Sequence, residues 1–375
     1  MGGYFTRQKV LSILQSQTPD SPPATWLLRI SETFADFSSD IVVALGAQIS
    51  KKLGSEYYLV QTRTPETIRS SDAAAYVRWN LPVHHAWPCH PEKMEGFVEK
   101  AAQALWRKFG NRKPQAIFIG QLDPSSTSRY YKALASNLRG RTLQLFPAEV
   151  AAFKEVEAQD SRRPTLFCLV GQQGLFCGMQ SPHDSNGFYP GGTKYISQTS
   201  PDTISRAGAK VAEALHYLLM HRHAPKKSSH WLELGASPGG MTSELLGRGY
   251  KVTAIDRAPL DKRLDNQKDL NFALLDVAAF KPNASMRYDA ILSDMNGDAR
   301  EAIHQVSRLA KNLTAGGLVI FTLKTPGVTT FVEMNQLYQD AVATAAAAGL
   351  DLFAKTHLTY NRHELTLFFS SRPAA

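Results

Sequence analysis

Residues 231–240 read WLELGASPGG, and this stretch decides the fold. A strand-like run carries the acidic Glu233 and ends in a turn of small residues. Pro238 and two glycines follow. Such a turn lets a ligand come close to the backbone, and a helix opening at Gly239-Gly240 would aim its free N–H groups outward.

The sequence on either side alternates in a regular way. HWLELGA (230–236), YKVTAID (250–256), NFALLDV (271–277), YDAILSD (288–294) and GGLVIFTLK (316–324) read as strands. LDLFAKTHL (350–358) and HELTLFF (363–369) form a closing pair. Helical stretches lie between them, and SRAGAKVAEALHYLLM (205–220) precedes them. Apolar β-rich runs alternating with helices predict a mostly parallel sheet of seven strands, covered on both faces.

Ligands of such sheets bind at the carboxyl ends of the strands, near the switch point. Gly235, Ala236, Ser237, Pro238, Gly239 and Gly240 lie at that edge. A dinucleotide site requires G-x-G-x-x-G, but Ser237 holds the middle position, where a pyrophosphate would crowd a Cβ. A Walker loop is excluded by the missing Gly-Lys-Ser/Thr. Asp256 closes the second strand, where a ribose diol is held, and Asp276 closes the third, near an adenine edge. An adenosine without pyrophosphate fits, and S-adenosyl-L-methionine is the expected cofactor.

Four further residues complete the pattern. SRAGAK supplies Lys210, SDMNG supplies Asp294, TLKTP supplies Lys324 and RHELTLFF supplies Glu364. With ELGASPGG, this set resembles the FtsJ-like ribose 2′-O-methyltransferases over roughly residues 187–375. Within that family it is most similar to the group that methylates large-subunit ribosomal RNA. The resemblance implies a Rossmann-like class I methyltransferase domain with a Lys-Asp-Lys-Glu tetrad. In it, Lys324 activates or orients the ribose hydroxyl, Asp294 positions Lys324 and reaches the cofactor, and Lys210 and Glu364 hold the hydroxyl and the geometry. It also implies an N-terminal α+β region with a THUMP-like RNA-binding domain, and GFYPGGTK is similar to that group's linker. Two positions depart from the group's pattern. Met241 stands where Trp is usual, and Ala207 where Ser is usual.

The N-terminal half reads less regularly. ATWLLRI and SEYYLVQTR predict strands flanking a helix over DIVVALGAQISKKL (40–53). HHAWPCHP (84–91) is turn-rich and closes this unit. Beyond it come a helix over 92–110, the strand QAIFIGQL, a helix over SRYYKALASNLRG ending at Gly140, and the hairpin TLFCLVGQQGLFCGM. HDSNGFYPGGTK (183–194) reads as a linker. The expected units are an α+β domain over 1–86, a THUMP-like RNA-binding domain over 87–186 and the methyltransferase domain over 187–375.

The chain has 375 residues and a formal charge of +9. Residues 100–141 hold nine Lys or Arg and one acid, Asp123, and so supply eight of those excess charges. Arg107, Lys108, Arg112, Lys113, Arg129, Lys132, Arg139 and Arg141 are candidate RNA contacts, because clustered cations release counterions from phosphate backbones. Trp106, Phe109, Tyr130 and Tyr131 are interleaved with them. Their rings either stack on unpaired bases or point into a core.

Several classes are disfavoured. No run approaches the ~20 apolar residues of a membrane span, and the N-terminus lacks an apolar signal core. Gly2 and Thr6 fit the loose myristoylation pattern, which is short and weak. Cys89, Cys168 and Cys177 are odd in number and suggest a reducing compartment, so the chain reads as cytoplasmic. Cys168 and Cys177 are expected to face each other as packed thiols. His84, His85, Cys89 and His90 match no standard zinc spacing, so no metal is expected. Base C5 methylation needs a cysteine nucleophile, and 187–375 has none. Amine methylation would call for Asn/Asp-Pro-Pro-aromatic where Asp294-Met295-Asn296-Gly297 stands. The function expected is RNA ribose 2′-O-methylation, on large-subunit rRNA foremost. The alternatives are tRNA as substrate, or an RNA-binding protein that keeps the cofactor pocket without turnover.

Overall fold

The computed structural model describes residues 22–89, 91, 94–122, 129–153, 155–198 and 203–372. Gly2, Thr6 and His90 lie outside the described residues. The described residues form three sheets.

The first holds β1 (Ala24–Ile30), β2 (Ala47–Leu53), β3 (Tyr57–Thr62) and β4 (Val77–Pro82), all antiparallel in the order β2-β3-β1-β4. The helix expected over 40–53 is instead α1 (Ser38–Ala44) followed by a strand. Gly46 takes a left-handed φ of +69° and ends the helix, and 47–53 pairs with β3 as an edge strand. Its middle five residues are exposed, and Lys51 and Lys52 among them discourage pairing with another chain.

The second sheet holds β5 (His85–Trp87), β6 (Ile117–Gln121), β7 (Thr165–Gly171) and β8 (Gly174–Gln180), in the order β5-β8-β7-β6. His85–Trp87 is therefore a strand of this sheet rather than the close of the preceding unit. Alternation along β7 divides its faces. Leu166, Cys168 and Val170 pack under α2 (Met94–Phe109) and α3 (Arg129–Leu145), while Phe167 and Leu169 meet Leu27, Trp79 and Leu81 of the first sheet. Cys168 and Cys177 are register partners and buried free thiols. Helix α3 runs through Gly140 to Leu145, because Leu138 and Thr142 on either side belong to its buried face.

The third sheet holds β9 (His230–Leu234), β10 (Lys251–Asp256), β11 (Leu270–Leu274), β12 (Tyr288–Ser293), β13 (Leu313–Lys324), β14 (Leu350–Thr356) and β15 (Glu364–Ser371). The order is β11-β10-β9-β12-β13-β15-β14, and β15 alone runs antiparallel to its neighbours. Helices α4 (Ala207–Leu218) and α5 (Gly240–Gly247) cover one face, and α6 (Ala299–Leu309) and α7 (Phe331–Ala347) the other. This is a Rossmann-like α/β fold with a mixed seven-stranded sheet.

The core of the α6/α7 face continues into the first sheet's helix-covered side through Phe34, Tyr76 and Phe331. Buried polar groups tie the same junction. Arg78 donates to the carbonyls of His357 at 3.1 Å and Leu358 at 3.0 Å, and to His357 Nδ1 at 2.9 Å. Burial pulls Arg78 down to about 10, still a cation at neutral pH. Burial and Arg78 hold His357 well below the usual histidine value, so its ring is neutral and Nε2 donates to Arg362 O. The segment expected as a linker is wedged into this junction, where Arg29 donates to Gly191 O at 2.7 Å and to Glu56. An unpaired polar group left in such a place costs more than the bond itself contributes.

Arg78→Met removes three hydrogen bonds and strands two carbonyls. Urea unfolding should show a loss of about 3 kcal/mol, whereas Val43→Ser at the surface should stay within about 0.5 kcal/mol.

Candidate active site

The sheet order reverses between β9 and β12, and a crevice opens there at the carboxyl ends of the strands. The turn after β9 and the loop after β12 approach closely. Gly235 has a φ of +80°, and a Cβ on it would lie 2.9 Å from Met295 Cα. The Asp294 amide donates to Leu234 O at 3.2 Å and fixes the second loop against the first.

A cleft of about 360 Å³ fills this crevice. Gly235, Ala236, Ser237, Pro238, Gly240, Asp256, Asp276 and Asp294 line it. Gly239 does not line it and sits behind it as the N-cap of α5, packed on Leu264. Asp256 accepts from the amides of Ser237 at 2.9 Å and Ala258 at 2.8 Å, so its carboxylate is fixed at the rim. Asp276 accepts from Ala278 N at 2.8 Å and stands 3.7 Å from Arg257. The rest of the lining was missed from sequence: Arg257, Val277, Ala278, Met295, Asn296, Asp298, Glu301, Ala302 and Gln305. A signal for part of it was present. Asp298 caps α6 by accepting from Glu301 N, a D-x-x-E pattern that marks a helix starting at this edge.

Asp256, Asp276, Asp294, Asp298 and Glu301 face one cation, Arg257, in this lining. Such a wall repels phosphate and suits a ligand that carries positive charge, as a sulfonium and an α-ammonium do. The volume suits a ligand the size of an adenosyl amino acid. The residues present therefore fit S-adenosylmethionine.

At one end of the cleft four charged side chains converge. Lys210 comes from the first turn of α4, Asp294 from just past β12, Lys324 from the end of β13 and Glu364 from the start of β15. Lys324 and Glu364 are register partners on the antiparallel pair. Lys324 Nζ stands 3.2 Å from Asp294 Oδ1 and 3.8 Å from Glu364 Oε2. Lys210 Nζ is 3.4 Å from Asp294 Oδ2 and in direct contact with Glu364 Oε1. The result is a closed ring of alternating charge, with side chains 7–18% exposed. Asp294 belongs both to the ring and to the cleft wall.

Beneath the turn lies Glu233, wholly buried and, among the described residues, without an ion partner. Thr242 Oγ1 donates to it at 2.8 Å. Burial, reinforced by the nearby carboxylates of Asp294 and Asp256, pushes its carboxyl up to about 8, so it is largely protonated at neutral pH.

The cations of the second unit divide into two kinds. Arg107, Lys108, Arg112, Lys113, Arg129 and Lys132 are exposed. Lys108 and Arg112 gather by the β5 edge, where burial and these two cations depress His84. Arg139 instead turns inward, donating to Ile117 O at 2.9 Å with its guanidinium over the Phe118 ring, and Arg141 is paired with Glu99 at 2.7 Å. The aromatics take the core alternative. Phe109 is fully buried, Trp106 packs edge-on against Phe146 at 5.2 Å, and Tyr130 donates its hydroxyl to Pro91 O. That packing closes Phe109 to base stacking, while Trp106, Tyr130 and Tyr131 stay half-exposed. His84 Nδ1 accepts from Met179 N at 3.0 Å, and among the described residues no group of His, Cys, Asp and Glu is placed to hold a metal.

The fold and the cleft define a methyltransferase domain. Residues 203–345 match the family model of the FtsJ-like methyltransferases. The ribosomal RNA large subunit methyltransferase M of Shewanella loihica is 26% identical over 255 residues, covering 65% of this chain and 68% of that protein. The protein of the same name from Halorhodospira halophila is 30% identical over 164 residues, 44% of this chain and 46% of its own length. Among solved structures, a 1,6-didemethyltoxoflavin-N1-methyltransferase from Burkholderia thailandensis is 18% identical with a TM-score of 0.34, covering 46% of this chain and 80% of that one. Over residues 203–345 the chain is similar to the FtsJ-like methyltransferases. It is an enzyme, and its cofactor is S-adenosylmethionine.

Glu233 makes the stability of this site depend on pH in a defined sense. Its carboxyl is raised above the usual 4.5, so the folded state binds more protons between that value and about 8. The stabilisation is full below about pH 4.5 and is lost as pH rises through about 8. Between about pH 7 and 9, urea midpoints should fall for the wild type and stay flatter for Glu233→Gln. Across this window the difference should be about 1.4 kcal/mol, because most of the linked loss falls between pH 4.5 and 7 and the slope fades above about pH 8. The buried His216, His221 and His357 act with the opposite sign and titrate below neutrality, so they leave this window clear.

Proposed function

We propose that this chain is a ribose 2′-O-methyltransferase acting on large-subunit ribosomal RNA. The observation that carries the chemistry is the Lys210–Asp294–Lys324–Glu364 ring at the end of the cofactor cleft. The substrate class draws on relatives named ribosomal RNA large subunit methyltransferase M and on the exposed cations of the middle unit.

Bound in the cleft, S-adenosylmethionine supplies an electrophilic methyl group on sulfur. The work of the chain is then positional. A ribose 2′-hydroxyl is a weak nucleophile that must lie in line with the methyl and lose its proton. Lys324 Nζ, on the rim beside Asp294, orients the hydroxyl and takes that proton. Asp294 and Glu364 hold the two lysines in fixed directions, and Lys210 balances their charge. Alignment of this kind accounts for a large part of the rate. Among the residues of 187–375 there is no cysteine to attack a base, which favours an oxygen acceptor over C5 chemistry. The units read as 1–86 and 87–186 present RNA to the domain read as 187–375, with phosphates meeting Arg107, Lys108, Arg112, Lys113, Arg129 and Lys132.

Labelled S-adenosylmethionine, offered with unmodified large-subunit rRNA and separately with unmodified tRNA, tests this reading after digestion to nucleosides and mass spectrometry. The expected product is a 2′-O-methyl nucleoside from rRNA, reduced about 100-fold or more by Lys324→Ala. Label in a base, or none, contradicts the chemistry, and label in tRNA alone contradicts the substrate. For the docking surface, the Lys108→Ala/Arg112→Ala double variant should lower the slope of log affinity against log salt by about 2. Arg141→Ala, which removes a cation already paired, should change it by much less.

A further inference from the structure

Asn296 lies outside the charged ring and yet touches it. Its side-chain oxygen accepts from Lys324 Nζ at 2.8 Å, closer than Asp294 at 3.2 Å or Glu364 at 3.8 Å. Asn296 also lines the cofactor cleft. Its backbone is held on both sides, by the Asp294 amide on Leu234 O and by the Asp298 cap of α6. The side chain therefore projects from a fixed loop between the cofactor cleft and the ring.

A lysine ammonium has three N–H donors. Asp294, Glu364 and Asn296 place three acceptors around Lys324 Nζ, and Lys210 is the other charge that faces these carboxylates. An ionised carboxylate only accepts hydrogen bonds, whereas an amide accepts at its oxygen and donates at its nitrogen. The amide oxygen serves the ammonium. After a turn about its last torsion, the amide nitrogen serves the lone pair of a neutral amine. Asn296 is thus matched to Lys324 in both proton states.

We propose that Asn296 is a positioning residue that keeps Lys324 Nζ aimed at the acceptor hydroxyl while Lys324 gains and loses a proton. This rests on the ribose methylation reading. In that step the hydroxyl O–H bond breaks and its proton goes to Lys324 Nζ. An O–CH3 bond forms, the C–S bond breaks, and sulfur leaves with the electron pair as a thioether. Lys324 then returns the proton to water.

The test compares wild type, Asn296→Ala and Asn296→Asp in the full chain. Asn296→Ala should lower kcat on rRNA about tenfold with the KM for RNA and the affinity for S-adenosylmethionine nearly unchanged. Asn296→Asp adds a third acceptor-only charge and should move the acid limb of the pH–rate profile to higher pH, which Asn296→Ala should not do. A second readout needs no RNA. Acetic anhydride labelling of Lys324, measured by peptide mass spectrometry against the exposed Lys251, should rise several-fold in Asn296→Ala and fall in Asn296→Asp. Equal labelling in all three proteins, or kcat and pH profiles unchanged by both substitutions, overturns the proposal. If the labelling follows the expected order while the wild type methylates no RNA, the positioning of Lys324 stands and the ribose reading falls.

Discussion

Two lysines and two carboxylates, drawn from four separate segments and mostly shielded from water, must neutralise one another. A half-buried charge without a partner is costly, several kcal/mol when fully enclosed. The ring is therefore complete only when α4 lies across the sheet edge and β12, β13 and β15 end on the same rim. β15 alone runs antiparallel, and that direction brings its first residue, Glu364, opposite Lys324, the last residue of β13. If β15 ran parallel to the other six strands, Glu364 would begin at the far edge. The cleft depends on the same constraint, since Asp294 closes the ring and walls the cofactor space at once.

The N-terminal sheet takes part in this geometry. Arg78 of β4 grips His357 and Leu358. Glu213 of α4 accepts from the amides of Thr359 and Tyr360. The Tyr360 hydroxyl bonds the Ile196 backbone through both its N–H and its C=O, and Asn361 donates to Glu364 O. The loop between β14 and β15 is thus held from three sides before it delivers Glu364. A unit that carries none of the ring still fixes where one of its members starts. Burial pushes the Glu213 carboxyl upward, which its backbone and hydroxyl donors partly offset.

The strands of the third sheet were legible because each is an apolar run bounded by a turn, and the central ones, β9, β12 and β15, are buried on both faces. The turn at 235–240 was legible because Gly235 stands where a Cβ would lie 2.9 Å from Met295 Cα, which no side chain tolerates. The edge strand at 47–53 was not, since its middle residues face solvent and carry no alternation to read. Gly140 suggested a helix end, but the packing of Leu138 and Thr142 outweighs one glycine's propensity. The inward turn of Arg139 and of the aromatics around it was invisible for the same reason, because side-chain direction is decided by neighbours distant in sequence. Asn296 had no signal at all. Its partner, Lys324, is 28 residues away and meets it only when β12 and β13 lie side by side.

The most direct measurement is a crystal structure with sinefungin, an adenosyl analogue that carries an amine where the transferable methyl would be. The account requires the adenosine to lie along Gly235–Gly240 with the ribose at Asp256. It also requires the amine to point toward Asp294 and Lys324, within about one water layer of Nζ. An amine directed toward Asp276, or an adenosine bound outside this crevice, would contradict it.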